Sequence, residues 1–228
     1  MARVQYTLLD DARPLPSSPL SLLTGLSCDK ADGRWLLNDR TAISIRAARP
    51  DDTAMLQILV RGLSLKSRHL RFFHAIRELL PDLLAQFTRA DPTQEMSLLA
   101  LIQQDGQQMP VAMAQYVSAP YPERCDFAVV VADMWQRHGI GIRPLRNLIC
   151  IASAAGLEMI EGDVLDENEP IRQLMKDMGF TLAPHPDGPY LMKAFKPLAP
   201  PAWKCYAWAA LLSRGRVGGK SFSDHCVN

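Results

Sequence analysis

Cysteine is scarce and unpatterned: Cys28, Cys125, Cys150, Cys205 and Cys226 are odd in number, scattered and never spaced as C-x-x-C. That excludes a disulfide framework and a zinc site, and it fits a reducing compartment. Long apolar runs are missing too, none approaching the ~20 residues a membrane helix needs. The opening MARVQYTLLDD has no apolar core of the kind a secretory leader carries. Nor is there an excess of either charge: Lys and Arg number 25 against 24 Asp and Glu, a formal net of +1. No global basic field therefore argues for nucleic acid or an anionic membrane. The expectation is a soluble, cytoplasmic protein with no metal, no nucleic-acid partner and no membrane. What is present is core material, 48% hydrophobic residues in 228, enough for one domain with extensions.

The chain is organised around residues 125 to 156. Phe127 to Ala132 is a continuous apolar, β-branched run of the kind buried on both faces of a sheet. Asp133, Met134 and Trp135 end it, and Gln136, Arg137, His138, Gly139, Ile140 and Gly141 follow. Ile142, Leu145, Leu148, Ile149 and Ala152 then recur at helical spacing, so the order is strand, glycine loop, helix. Such a loop offers unpaired backbone N–H groups backed by the helix dipole, a seat for a pyrophosphate that needs no lysine. Gly139 and Gly141 let the backbone approach the ligand where a Cβ would collide. The dinucleotide fingerprint G-x-G-x-x-G would need a third glycine at 144, which is Pro144, so a nucleotide-dependent oxidoreductase is disfavoured.

Before this stretch, residues 1 to 40 read as an irregular extension broken by Pro14, Pro16 and Pro19. Ile43 and Ile45 alternate with polar residues as in a strand, and Pro50, Asp51 and Asp52 cap a helix bearing Leu56 and Leu59. Ser64 to Phe73 is a basic, aromatic-bearing helix or turn that packs Phe72 and Phe73 inward, and a second helix spans Leu79 to Phe87 with Pro81 in its first turn. Asp105-Gly106 between the apolar runs 96–102 and 109–117 predicts a hairpin. After the central helix come a strand over 157–164, a helix from Asn168 to Met178 and a closing hairpin around His185 to Gly188. The alternation predicts an α/β (α+β) domain over 41–197, a mixed, mostly antiparallel sheet of six or seven strands flanked by helices. Residues 198–228 read as a tail, a short helix and then disorder.

Gln136, Gly139 and Gly141 in register behind a buried strand resemble the pyrophosphate loop Gln/Arg-x-x-Gly-x-Gly/Ala of the GNAT superfamily of acyl-CoA-dependent N-acyltransferases. The element order over 41–197 resembles the GNAT fold, and the serine-bearing segment ending Arg71-Phe72-Phe73 looks like that of bacterial protein lysine acetyltransferases. The resemblance implies acetyl-CoA as co-substrate, with loop residues Gln136 to Gly141 on the pyrophosphate and the strand end, Val131 and Ala132, on the pantetheine arm. It implies Asn168 as a further contact to that arm, a place where an N-cap role is equally served. His138 reads either as a phosphate contact or as an exposed loop histidine.

For a general base, the family's lysine acetyltransferases carry a glutamate ten residues before the loop, and that position here is Asp126. A shorter carboxylate can work through a water; the alternative is a strand-end aspartate facing solvent, with Glu123 and Glu161 as fallback bases. Many members have a tyrosine acid seven residues after the asparagine, and here that residue is Met175. The expectation is therefore direct acetyl transfer to an amine in a ternary complex, a protein lysine first and a small-molecule amine second. A silent acyl-CoA-binding sensor is the reading from a different class, and a homodimer is left open.

Overall fold

The structure is a computed structural model that describes residues 34–74, 76–119 and 123–198. Eight strands form one sheet in the order β1-β2-β3-β4-β5-β6-β8-β7. They are β1 (Arg34–Leu36), β2 (Ala42–Ala47), β3 (Glu95–Gln104), β4 (Gln107–Ser118), β5 (Arg124–Val131), β6 (Met159–Leu165), β7 (Thr181–Pro184) and β8 (Leu191–Pro197). The eighth strand is β1, inside a stretch expected to be irregular. Its Trp35 pairs with Ile43 and lays its ring against the Arg143 guanidinium at 4.9 Å, which gives this three-residue edge a reason to order. Residues 1–33 of the expected lead-in and 199–228 of the tail lie outside the described residues.

Helices cover both faces, as the alternation predicted. On one side, α4 (Ile142–Ala154) and α5 (Glu169–Asp177) close a core with Ile43, Leu98, Tyr116, Phe127, Leu148, Ile160 and Met175. On the other, α1 (Thr53–Gly62) and α3 (Pro81–Thr88) pack Leu56, Leu59 and Phe87 onto Leu99, Leu101 and Met113. The stripe of α4 is fully buried at Leu145, Leu148 and Ile151, each contributing ~1.5–3 kcal/mol by leaving water. Truncating Leu148 to alanine would cost about 2–5 kcal/mol. The remaining helix, α2 (Leu65–Phe72), begins at Ser64, whose hydroxyl accepts from the Ser67 N–H. Phe72 packs against the second core, whereas Phe73, left-handed at φ 58°, turns toward the cleft instead of the core.

Local chemistry explains the turns. Asp105 and Gly106 sit at φ 51° and 77°, the paired positive values of a type I′ hairpin. Between Ala100 and Leu101 the β3–β4 register shifts, leaving Val111 as an extra residue, which is how Pro110 is tolerated inside a sheet.

The decisive feature lies between β5 and β6, the sheet's parallel pair. They pair only at Arg124 with Met159, Cys125 with Ile160 and Asp126 with Glu161. Beyond Asp126 the strands part: β5 runs on beside β4 to Val131, and β6 runs on beside β8 to Leu165. The apex is held by Phe127 and Gly162, where an added Cβ would stand 2.8 Å from the Phe127 carbonyl oxygen and 2.9 Å from its ring. Glycine is what lets the ring lie there.

Candidate active site

The loop emerges at the open end of this wedge. Arg137 and Gly139 take left-handed conformations, φ 63° and 74°, which turn the chain back before α4 begins. Gly141 is different: its φ is ordinary, and an added Cβ would meet Val131 Cγ2 at 3.3 Å. Gly141 therefore serves close approach, and Gly139 serves conformation. Ile140 is buried and pins the loop, so only its backbone is offered outward. Among the described residues, the N–H groups of Arg137 to Gly141 find no acceptor, and they gather where α4 starts. Arg137 and His138 are exposed, and His138 Nδ1 lies 2.8 Å from the Gln136 carbonyl oxygen.

The Gln136 side chain is committed to the protein. Its Nε2 donates to the Val131 carbonyl and to the Ser67 hydroxyl, both at 3.1 Å. Beside it, Asp133 accepts from the Ser64 N–H at 2.8 Å and from the Ser64 and Ser67 hydroxyls at 2.7 Å each. Partial burial pushes the Asp133 carboxyl up, but the hydrogen bonds from Ser64 and Ser67 outweigh it and hold it below the usual carboxylate range. Two side chains thus tie the loop to the first turn of α2. Sequence reading missed this tie because its halves stand more than sixty residues apart.

Strand β5 offers a free edge to the wedge. The Ala132 N–H donates across to the Val111 carbonyl at 2.8 Å, and the Ala132 carbonyl accepts from Trp135. Both main-chain groups of Ala132 are thus engaged within the protein. Because strand N–H groups alternate in direction, those of Val131 and Val129 face the opening. The bulge at Val111 that accepts from Ala132 leaves no mark in a sequence.

At the apex stands Asp126, half exposed at 54% and lining the cleft. Lys193 Nζ lies 3.1 Å from Asp163, 3.4 Å from Glu161 and 3.9 Å from Asp126, one ammonium among three carboxylates. Desolvation raises the Asp126 carboxyl; Lys193 opposes that, and Glu161 and Asp163 add to it, leaving the net direction upward. A carboxyl raised above its ordinary range is a stronger proton acceptor than an unperturbed one. Of the fallback candidates, Glu123 sits outside the cleft at the start of β5, and Glu161 is paired with Arg124 and Lys193. Asn168 lines the cleft while its Oδ1 caps α5 by accepting from Ile171. Met175 is wholly buried, so no proton donor stands there. The Cys125 thiol is pushed up to about 12, first by burial, and is no nucleophile.

The glycine loop, Val129, Val131, Asp126, Lys193 and Asn168 border one cleft of about 2160 Å³, more than twice the volume of an ordinary ligand site, room enough for two substrates together. Among the described residues no helix is long and apolar enough to cross a membrane.

No protein-family model matches the chain. A curated acetyltransferase of Pseudomonas aeruginosa is 30% identical over 151 residues, spanning 66% of this chain and 81% of that protein. Among solved structures, the GNAT domain of PAT from S. lividans superposes with a TM-score of 0.64 at 20% identity, covering 72% of this chain and 96% of that one. The yncA protein of Salmonella typhimurium, solved with its cofactor acetyl-CoA, superposes at 0.53 and 17% identity over 69% and 94%. A wedge between two parallel strands, a bare-amide loop leading into α4, and a relative of this length and likeness have one reading: the chain belongs to the GNAT superfamily and is an N-acetyltransferase.

Proposed function

We propose that the protein moves an acetyl group from acetyl-CoA to a primary amine, a protein lysine first, within a ternary complex. The observation that carries this reading is the parting of β5 from β6 beyond Asp126, because it exposes backbone donors beside a carboxylate. The same fold in the Salmonella protein holds acetyl-CoA. The residues here fit that substrate: the five N–H groups of Arg137 to Gly141 have no acceptor among the described residues, and they gather where α4 starts.

In this reading the backbone of Arg137 to Gly141 holds the pyrophosphate, Gln136 keeps the loop in place, and Val129 and Val131 align the pantetheine arm and polarise the thioester carbonyl. The Asn168 side-chain nitrogen and the exposed His138 border the rest of the CoA. Asp126 takes a proton from the ammonium through a water, the freed nitrogen attacks the thioester carbon to form the N–C bond, and as the tetrahedral intermediate collapses the C–S bond breaks and the nitrogen gives its second proton to solvent. CoA leaves as a thiolate and is protonated by water, since a thiol's pKa is not far above neutral; the apolar Met175 matches that exit.

The test is release of free thiol from acetyl-CoA against lysine peptides, intact proteins and small amines, with thermal-shift binding alongside. Stabilisation by acetyl-CoA and amine-dependent release, fastest with protein lysines, is expected. Release with small amines alone would move the acceptor to that class, and stabilisation without release would favour an acyl-CoA sensor. No stabilisation would contradict the reading.

A further inference from the structure

The cleft does not end at Asp126. Across the sheet, Asp126 is in register with Val117 of β4 and Val117 with Glu95 of β3, while Gln115 is in register with Ala128 and Ser97. Residues paired across strands share a face, so Glu95, Gln115 and Asp126 project to the same side, all lining the cleft. With strands ~4.8 Å apart, Glu95 stands about 10 Å from Asp126. This arm lies away from the glycine loop, and its floor is polar, so it suits neither the CoA arm nor a long acyl chain.

Two groups in the arm are unusual. Gln115 and Glu95 are each only 5% exposed, yet Gln115 Oε1 has no hydrogen-bond donor among the described residues. Arg89 Nη1 lies 2.9 Å from Glu95 Oε1, and the Arg89 side chain, itself 62% exposed, and the Gln86 side chain both stabilise that carboxylate. Asp91 adds negative charge nearby, and the Arg71 guanidinium is laid on the Phe72 ring at 4.7 Å. Burial raises the Glu95 carboxyl, and Arg89 offsets only part of that. The buried Gln115 oxygen, without a donor among the described residues, carries a desolvation cost that an incoming N–H group relieves, and the Glu95 carboxylate, offset only in part by Arg89 and Gln86, adds negative charge beside it.

We infer that this arm reads a second nitrogen on the acceptor, carried about 10 Å from the one that is acetylated, with Gln115 and Glu95 as its hydrogen-bond acceptors. The inference rests on the amine-acetyltransferase reading above. Two sources have this chemistry, a neighbouring basic side chain in a peptide and the far amine of a linear diamine.

The experiment compares kcat/KM for two matched pairs: octylamine against a linear diamine of about eight carbons, whose extended span is close to that distance, and a lysine peptide with and without a second basic residue. Wild type, Glu95→Gln and Gln115→Met are assayed, and the acetyl-CoA thermal shift reports that each variant is folded; either variant suffices if the other does not fold. A preference for the second nitrogen of about tenfold in wild type, falling to about one in the variants, is expected for a charge-assisted hydrogen bond. Preference within the peptide pair identifies a protein source, and preference within the amine pair a small-molecule source. Turnover with a flat ratio in both pairs, or a preference that survives the substitutions, overturns this inference alone. No acetyl-CoA-dependent turnover with any of the four acceptors overturns the underlying reading with it.

Discussion

The two ends of the cleft are built on different plans. The end at the glycine loop is made of backbone from one stretch, β5 through the start of α4, whose loop N–H groups have no acceptor among the described residues and which the proposed function assigns to acetyl-CoA. The end beyond Asp126 is made of side chains from β3, β4, β5, β6 and β8: Glu95, Gln115, Asp126, Asp163 and Lys193. A backbone site is fixed by conformation and tolerates changes of side chain. A side-chain site is fixed by charge and is the place where acceptor choice can vary on a constant fold.

Substitutions at the two ends should therefore separate binding from chemistry. The largest expected effect is at the side-chain end: Asp126→Asn should lower kcat/KM about a hundredfold or more, with acetyl-CoA affinity retained, read from initial rates and calorimetric binding. An unchanged rate would leave Asp126 a solvent-facing strand residue. Next, at the backbone end, Gly139→Ala forces a side chain into a left-handed conformation at ~1–2 kcal/mol, so acetyl-CoA affinity should weaken about five- to thirtyfold. Gly141→Ala, with ordinary φ and a single 3.3 Å neighbour able to give slightly, should stay within about twofold. Equal losses at the two glycines would erase the distinction between conformation and close approach.

The loop was legible because its requirements are local. Gln136, Gly139 and Gly141 must follow a buried strand and precede an apolar-striped helix, and all of that lies within about thirty residues of sequence. The hairpin at Asp105-Gly106 and the cap at Asn168 were legible for the same reason. Illegible were the features that need strands from distant parts of the chain. The Val111 bulge consumes the Ala132 amide, Asp133 reaches back to Ser64, and Lys193 arrives beside Asp126 only when β8 joins β6. Strand β1 was missed because three residues are too few for a period to show.

Lys193 gives a smaller, directional test. In the proposed mechanism Asp126 takes a proton only when ionised, so activity should rise as pH climbs through its raised pKa. Removing the one cation that opposes that rise should move the acid limb of kcat/KM to higher pH in Lys193→Met, read from the pH–rate profile. A limb that moves down or stays would detach Lys193 from the base. Smallest is the tie between loop and α2. The depressed Asp133 carboxyl lends stability that is present above the ordinary carboxylate range and lost as pH falls through its folded-state value. Asp133→Asn should remove that acid-side dependence from the melting temperature and loosen acetyl-CoA binding only slightly, because the tie is exposed to solvent.

The most direct test of the division between the ends is amide hydrogen exchange with and without acetyl-CoA. The account predicts that acetyl-CoA slows exchange at Val129, Val131 and Arg137 to Gly141 and leaves Glu95 to Ser97 unchanged until an amine acceptor is added. Protection confined to β3 and β4, or none in the glycine loop, would contradict it.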